Sequence, residues 1–467
     1  MRAVVLGAVL AAMSAQQAQA QIRPDQESFR ALYKELVETN TTLSSGSCTL
    51  AAERLAARMK AAGYADKDLT IFSTPEKPKE GGLVAVLSGT AKKSKPILLL
   101  GHLDVVEANR ADWTRDPFTL IEEGGYYYGR GVADMKSQAA AWIDTLLRFN
   151  KEGFKPRNTV KMALTCGEEG GGRVNGAKWL VDNHRDLIDA KLGLNEGGNG
   201  EMTEDGKRVV VSVLVAEKGG GNFVLEATNP GGHSSRPRPD NALYSMGRAM
   251  DRLSRLEFPV TFNESSRGFF TRMGPIVGGE TGAAMARLVA NPNDAEADRI
   301  VSKSPLWHGM LRTTCVPTMI EGGHAANALP QSVRLTINCR LLPGDTIENA
   351  NAMLLKAIDD PELKLTKPEQ GPSPVFPKIT PQIMGPIEKA SKDQLGGTPV
   401  VPFMTTAGTD GRTLNAAGIP TIGVSGMFRD PDGNGVHGLD ERYRISVVMD
   451  GRRFLYQLVR SYAEGNF

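Results

Sequence analysis

His102 and Asp104 follow the run Ile97-Leu98-Leu99-Leu100-Gly101, and residues two apart share one face of an extended segment. Four consecutive apolar residues predict a fully buried strand, and the carboxyl ends of such strands are where open α/β sheets place ligands. A metal-binding imidazole usually donates its second ring proton to a carboxylate, which Asp104 can supply. Taken alone, the pair also fits a polar loop after a strand. Val160 to Thr165 predicts another strand, ending in Cys166-Gly167-Glu168-Glu169-Gly170-Gly171-Gly172. Neighbouring carboxylates in an extended segment point different ways, so one suits metal ligation and the other proton transfer; the alternative is a charged surface turn. Leu192-Gly193-Leu194 leads in the same manner to Asn195-Glu196-Gly197-Gly198. Asp134 stands before a helical pattern carrying Ile143, Leu146 and Leu147, either as a helix cap or aimed into a cleft. His437, in Gly435-Val436-His437-Gly438, reads as a loop histidine or as a second imidazole for the same cluster. Oxygen and imidazole donors without thiolates fit a catalytic zinc or manganese site better than a structural one.

The surrounding elements must bring these residues together. From Gln26 to Tyr64 the apolar spacing is helical, with Phe29, Leu32, Tyr33 and Leu36 and then Leu50, Leu55 and Met59 on one face. Leu83 to Leu87 predicts a strand beside Ile97 to Leu100. The character changes near Lys218, where an alternating strand from Asn222 to Ala227 precedes Gly231-Gly232-His233-Ser234-Ser235 and a helix from Asn241 to Leu256. Strand-like periodicity returns from Thr318 to Asn338, before a helix from Thr346 to Ile358. That order predicts a separate α+β domain inserted into a larger α/β domain. After the Pro372 to Pro377 stretch come a helix near Ile383 to Ser391, the Gly408-Thr409-Asp410-Gly411-Arg412 loop, the strand Ile419 to Val424 and a final helix. The expected division is a signal peptide over 1–20, catalytic segments over 21–217 and 371–467, and the insertion over 218–370. The middle stretch from Phe262 to Leu311 carries no functional reading.

Composition narrows the partners. With 467 residues, 40% hydrophobic and 23% charged, the chain has room for two or three cores. A formal charge of +2 and 6% aromatics give no basic footprint for nucleic acid. Arg2, the apolar run Ala3 to Met13 and Ala18-Gln19-Ala20 predict a signal peptide, hence a secreted or periplasmic product with no membrane span after cleavage. The four cysteines lack CxxC spacing. Export permits a disulfide, with Cys315 and Cys339 one pairing, while Cys166 reads as a small buried hydrophobe at a strand end.

Six segments, in order across nearly the whole mature chain, resemble one family: GHLDVV at Gly101, GRGVADMK at Gly129, GEEGGG at Gly167, NEGG at Asn195, NPGGHSS at Asn229 and VHGLDE at Val436. That family is the dizinc M20 metallopeptidases, which include aminoacylase 1, glutamate carboxypeptidase, carnosinase-like dipeptidases, Gly-X carboxypeptidases and succinyl-diaminopimelate desuccinylase. The resemblance implies a zinc-dependent exopeptidase-like α/β domain, a mixed sheet flanked by helices, with a ferredoxin-like inserted lid and dimerisation domain. It implies two zinc ions per chain, for which manganese or cobalt can substitute. His102 and His437 then hold one zinc each, Asp134 bridges both, Glu169 and Glu196 complete the ligand set, Glu168 is the general base and Asp104 orients His102. His233 matches the histidine that crosses a homodimer interface to hold the scissile carbonyl. Asn327 and Arg340 match positions that bind substrate carbonyl and carboxylate, and the Gly408 to Arg412 loop lines the carboxylate pocket. Asn195 and Gly167 stand where many members have Asp, but neither is a ligand position. The length of the insertion and the Trp113 to Phe118 loop look more like the carboxypeptidase S and Gly-X carboxypeptidase branch.

Amide hydrolysis at neutral pH needs a better nucleophile than water, which zinc supplies by acidifying it. The expected function is therefore an exported metallohydrolase that cleaves an amide in a small peptide next to a free carboxylate, as a carboxypeptidase or dipeptidase does. An N-acyl-amino-acid deacylase of the aminoacylase or desuccinylase type is the alternative within hydrolases. A peptide- or metal-binding protein without turnover is the alternative from another class, and an intact general base argues against it.

Overall fold

The computed structural model describes residues 24–91, 93, 96–369 and 375–465; the expected signal segment over 1–20 and the start of the Pro372 to Pro377 stretch lie outside the described residues. One mixed sheet runs in the order Leu69–Thr74, Lys77–Leu87, Val160–Thr165, Ile97–His102, Leu192–Asn195, Thr421–Gly423, Arg208–Glu217, Gly200–Met202 and Phe428–Arg429, with Val400–Thr405 paired to Arg208–Glu217. Val160–Thr165, Ile97–His102, Leu192–Asn195 and Thr421–Gly423 are mutually parallel, so their carboxyl ends reach one edge.

The Ile97–His102 strand is buried throughout because both its faces are covered. Ile97 and Leu99 join a core with Trp142, Phe149 and Phe454. Leu98 and Leu100 pack on the other side with Ala177, Leu180 and Leu414, as the two-residue strand period requires. Helices Pro24–Glu38, Cys48–Ala61, Lys136–Lys151, Pro381–Gln394 and Ile445–Glu464 cover the first face. Each fully buried leucine or phenylalanine contributes roughly 1.5–3 kcal/mol. The Leu83 to Leu87 run does not lie beside Ile97 to Leu100 as expected. It belongs to Lys77–Leu87, which pairs antiparallel with Val160–Thr165. The helical crossover through Lys136–Lys151 lays Val160–Thr165 parallel against Ile97–His102, so that place is occupied.

The inserted region forms a second, antiparallel sheet in the order Thr314–Gly322, Ser332–Leu341, Gly219–Thr228 and Lys364–Thr366. Helices Ala242–Leu253 and Ile347–Ile358, capped by Asn241 and Thr346, bury Met246, Ala249 and Leu354 against Phe223, Leu225, Leu335 and Ile337. This is the expected ferredoxin-like arrangement. The middle stretch forms four helices, Glu264–Val277, Gly279–Ala290, Ala295–Val301 and Pro305–Leu311. They pack Phe269, Met285 and Met310 with Val210, Ala216, Val401 and Met404, residues of the large sheet.

Both cysteine pairs are disulfides, Cys315 with Cys339 and Cys48 with Cys166. The second corrects the reading of Cys166 as a free buried hydrophobe. A separation of 118 residues hides the pairing from the sequence, because the contact exists only once the Cys48–Ala61 helix docks at the end of the Val160–Thr165 strand. Among the described residues no helix is long and apolar enough to cross a membrane.

Candidate active site

The strand ends deliver their polar residues to one place. His102 closes the Ile97–His102 strand, and Leu103 N donates to Thr165 O at 2.8 Å, keeping the chain against its neighbour as it leaves the sheet. Its Nε2 lies 3.2 Å from Asp134 Oδ1 and 3.5 Å from Glu196 Oε1. His437 Nε2 lies 3.3 Å from Asp134 Oδ2 and 3.0 Å from Glu169 Oε2. Each oxygen of Asp134 therefore faces a different imidazole, and each imidazole has one further glutamate. All five expected ligands are brought together, in two halves that share Asp134.

Glu168 sits at the inner half: its carboxylate, Glu196 and a ring nitrogen of His102 lie within 4.8 Å of one another. The turn that presents it requires glycine before it. Gly167 has φ +89°, and a Cβ there would fall 2.2 Å from Val174 O. Burial, reinforced by the charges of Glu196, Asp410 and Glu169 and opposed by His102, pushes the Glu168 carboxyl up to about 9. The contacts to Asp134 and Glu169 push His437 up to about 10 against partial burial. Asp134 is held well below the carboxylate range by His102 and His437, despite burial. So many carboxylates in a desolvated space call for positive charge, and hard oxygen and imidazole donors in two shared sets fit a pair of divalent metal ions.

Asp104 stands as expected beside His102 but not with the expected bond. His102 Nδ1 is 2.9 Å from the Asp104 backbone carbonyl and 3.5 Å from the carboxylate. The carboxylate instead accepts from Glu169 N at 3.1 Å and lies 3.8 Å from Arg173 Nε. It thereby ties the His102 turn to the glutamate loop. Asp134 is not a helix cap, since Lys136–Lys151 begins beyond it with Met135 at the N-cap.

Several residues here had no assigned role. Glu441 is fully buried and accepts from Arg130 Nη1 (2.9 Å), Gly131 N (3.0 Å), Ala133 N (2.7 Å) and Asp134 N (3.1 Å). It locks the bridging aspartate to the loop that carries His437. The only signal was its place in the VHGLDE segment. Arg130 also reaches the carbonyls of Gly438 (2.8 Å) and Glu107 (3.5 Å) and lies over the Trp113 ring. Glu217, which burial pushes up to about 7, accepts from Thr409 N (2.8 Å) and Oγ1 (2.7 Å). Asn195 Nδ2 donates to the same Thr409 hydroxyl at 3.1 Å, so the Gly408 to Arg412 loop abuts the Glu196 half.

The other expected substrate residues lie in the inserted domain. His233 is exposed, pairs with Ala328 in a two-residue ribbon, and its Nδ1 accepts from Ser235 N at 3.1 Å. Asn327 lies beside it, its carbonyl accepting from Ser234 N at 2.9 Å. Arg340 is exposed on Ser332–Leu341, opposite Gly220 and Thr314. Among the described residues, no hydrogen bond joins these three to the ligand cluster.

A mixed sheet that gathers two imidazoles and a shared aspartate at its carboxyl edge is the framework of a dinuclear metallohydrolase. The family model described as "Peptidase family M20/M25/M40" matches residues 98–461. The chain belongs to that family. It is 28% identical to a probable carboxypeptidase S-like 2 of Dictyostelium discoideum, over 81% of this chain and 74% of that one. It is 26% identical to the N-fatty-acyl-amino acid synthase/hydrolase PM20D1 of Xenopus tropicalis, over 80% of this chain and 74% of that one. Its fold matches the M20 family metallo-carboxypeptidase Sso-CP2 of Sulfolobus solfataricus with a TM-score of 0.69 at 17% identity, covering 94% of this chain and 99% of that one.

Proposed function

We propose that this M20 peptidase hydrolyses an amide whose leaving amine belongs to an amino acid with a free carboxylate, and that Glu168 is its general base. The observation that carries the reading is the pair of half-sites sharing Asp134, with Glu168 beside one of them but between no pair of imidazoles. When bound by His102, Asp134 and Glu196 and by His437, Asp134 and Glu169, two divalent metal ions, zinc by preference, supply Lewis acidity toward the amide carbonyl and toward water. Glu168 takes the proton of the attacking water and passes it to the leaving nitrogen. Asp104 and Glu441 hold the loops that aim His102 and Asp134. Arg340 and the Gly408 to Arg412 loop receive the substrate carboxylate, and Asn327 the carbonyl.

A homodimer through the inserted domain would bring the exposed His233 of one protomer to the other protomer's cluster, where its imidazole donates to the developing oxyanion. Export by an N-terminal signal peptide completes the reading. The similarity to the N-fatty-acyl-amino acid synthase/hydrolase PM20D1 of Xenopus tropicalis favours one second reading, hydrolysis of an N-acyl amino acid rather than a peptide. Incubating the metal-loaded protein with dipeptides, N-acyl amino acids and N-succinyl amino acids, followed by mass spectrometry, separates the two by which subset disappears. Glu168→Gln should keep both metals and lose at least about 100-fold in kcat; near-normal turnover with full metal content would remove Glu168 from its role.

A further inference from the structure

The loop that presents Glu168 and Glu169 has little packing of its own. Gly170, Gly171 and Gly172 have φ of +71°, +69° and +83°, and nothing lies within 4 Å of where a Cβ on Gly170 or Gly172 would stand. Three glycines in a row leave a backbone with many alternatives, so groups outside the loop must hold it. At its base Gly176 N donates to Cys166 O at 2.7 Å. Asp104 accepts from Glu169 N at 3.1 Å, and Glu80 from Val174 N at 2.8 Å. A further holder is Asp410, which is 3% exposed and which the chemistry above leaves without a role of its own.

Asp410 grips both flanks of the loop. Its Oδ1 accepts from Asn175 Nδ2 at 2.6 Å and its Oδ2 from Thr165 Oγ1 at 3.2 Å. Thr165 ends the strand beside His102, and Asn175 caps the Gly176–Asn183 helix while its Nδ2 also lies 3.4 Å from Gly167 O. Asp410 stands close enough to Glu168 that its charge helps to push that carboxyl up. Unlike Asp104 and Glu80, it follows Thr409 in the loop proposed to receive the substrate carboxylate, and Thr409 is itself fixed by Glu217 and Asn195. We propose that Asp410 is a positioning residue that links the carboxylate loop to the loop of the general base, so that a seated substrate carboxylate raises kcat and not affinity alone. This rests on the roles of Glu168 and of the Gly408 to Arg412 loop given above. Binding energy gathered where the substrate does not react is thereby used to aim Glu168, and a displacement of about 1 Å can cost a catalytic group about 100-fold in rate.

The test compares N-acetyl-leucine with N-acetyl-leucinamide, and Gly-Leu with Gly-Leu amide, by the release of leucine or leucinamide from the metal-loaded protein. In the wild type kcat for the acids should exceed that for the amides by about tenfold or more. Asp410→Ala should bring the two within about twofold, chiefly by slowing the acids, and Asp410→Asn, which can still accept from Asn175 and meet Thr165, should restore most of the difference. Asn175→Ser keeps a capping residue but removes the amide that reaches Asp410, and should behave like Asp410→Ala. Hydrogen exchange gives a readout without turnover: leucine, but not leucinamide, should slow exchange over Gly167 to Asn175 in the wild type and fail to do so in Asp410→Ala. An acid preference carried by KM alone, or a kcat preference unchanged in Asp410→Ala and Asn175→Ser, overturns the link and leaves the carboxylate pocket standing. Turnover with no preference for acid over amide removes the pocket itself, and the link with it. With no turnover of any of the four, Asp410-dependent protection by leucine keeps the link while the hydrolase reading falls, and its absence overturns the link as well.

Discussion

Glu441 is the residue whose loss reaches furthest. Glu441→Ala strands the buried Arg130 guanidinium and three backbone N–H groups at once, a type of change that costs about 3–5 kcal/mol. Thermal unfolding should show that loss, and metal affinity should fall with it, because Asp134 is no longer held; a variant with normal unfolding and metal content would contradict the locking role. The protonation of the cluster has a consequence of defined sign. With no metal present, His437 and Glu168 keep their protons up to about 10 and about 9, so metal ions compete with protons. Affinity should therefore rise as pH climbs toward 9, and metal uptake at pH 7 should release protons. Titration calorimetry in two buffers of different ionisation enthalpy counts them, and no net release would count against this account of the site. At this scale the sequence was informative about ligands, because histidine, aspartate and glutamate next to glycine at strand ends have few structural uses. It marked Glu441 only by its place in the VHGLDE segment and was silent about Glu217, because their partners are backbone amides or loop groups up to 311 residues away.

The strands and helices that carry the site were legible wherever one segment's own pattern decides its burial. Ile97 to Leu100 is one example, buried on both faces as its unbroken apolar run implies, and Val160 to Thr165 is another, buried except at the half-buried Lys161. What local pattern does not encode is the neighbour. Leu83 to Leu87 was correctly a strand and wrongly placed, and nothing in the amphipathic helices from Glu264 to Leu311 says which sheet they cover. The Cys48–Cys166 bond is another such long-range fact, and it anchors the strand end only two residues before Glu168. Replacing both cysteines by alanine should cost about 2–5 kcal/mol in chemical denaturation. It should also lower turnover more than the same change at Cys315 and Cys339, which lie in the inserted sheet; equal effects on turnover would show that the bond does not steady the glutamate loop.

For the whole molecule, the inserted sheet presents an exposed edge. Thr314–Gly322 is an edge strand, and its Val316, Met319 and Ile320 are 57%, 57% and 53% exposed, a surface that proteins ordinarily cover or charge. If the homodimer forms there, light scattering should give twice the chain mass, and Val316→Lys with Ile320→Lys should return it to one chain with the fold retained; a monomeric wild type would dismiss the arrangement. The two domains meet in the sequence at Glu217 and Lys218, between Arg208–Glu217 of the large sheet and Gly219–Thr228 of the inserted one. Glu217 holds Thr409 of the proposed carboxylate pocket, and Lys218 donates to Gly309 O (2.9 Å) and Arg312 O (2.8 Å). One dipeptide thus reports on both the pocket and the junction. By thermodynamic reciprocity, whatever factor a closed arrangement of the domains adds to substrate affinity, bound substrate must return to closure.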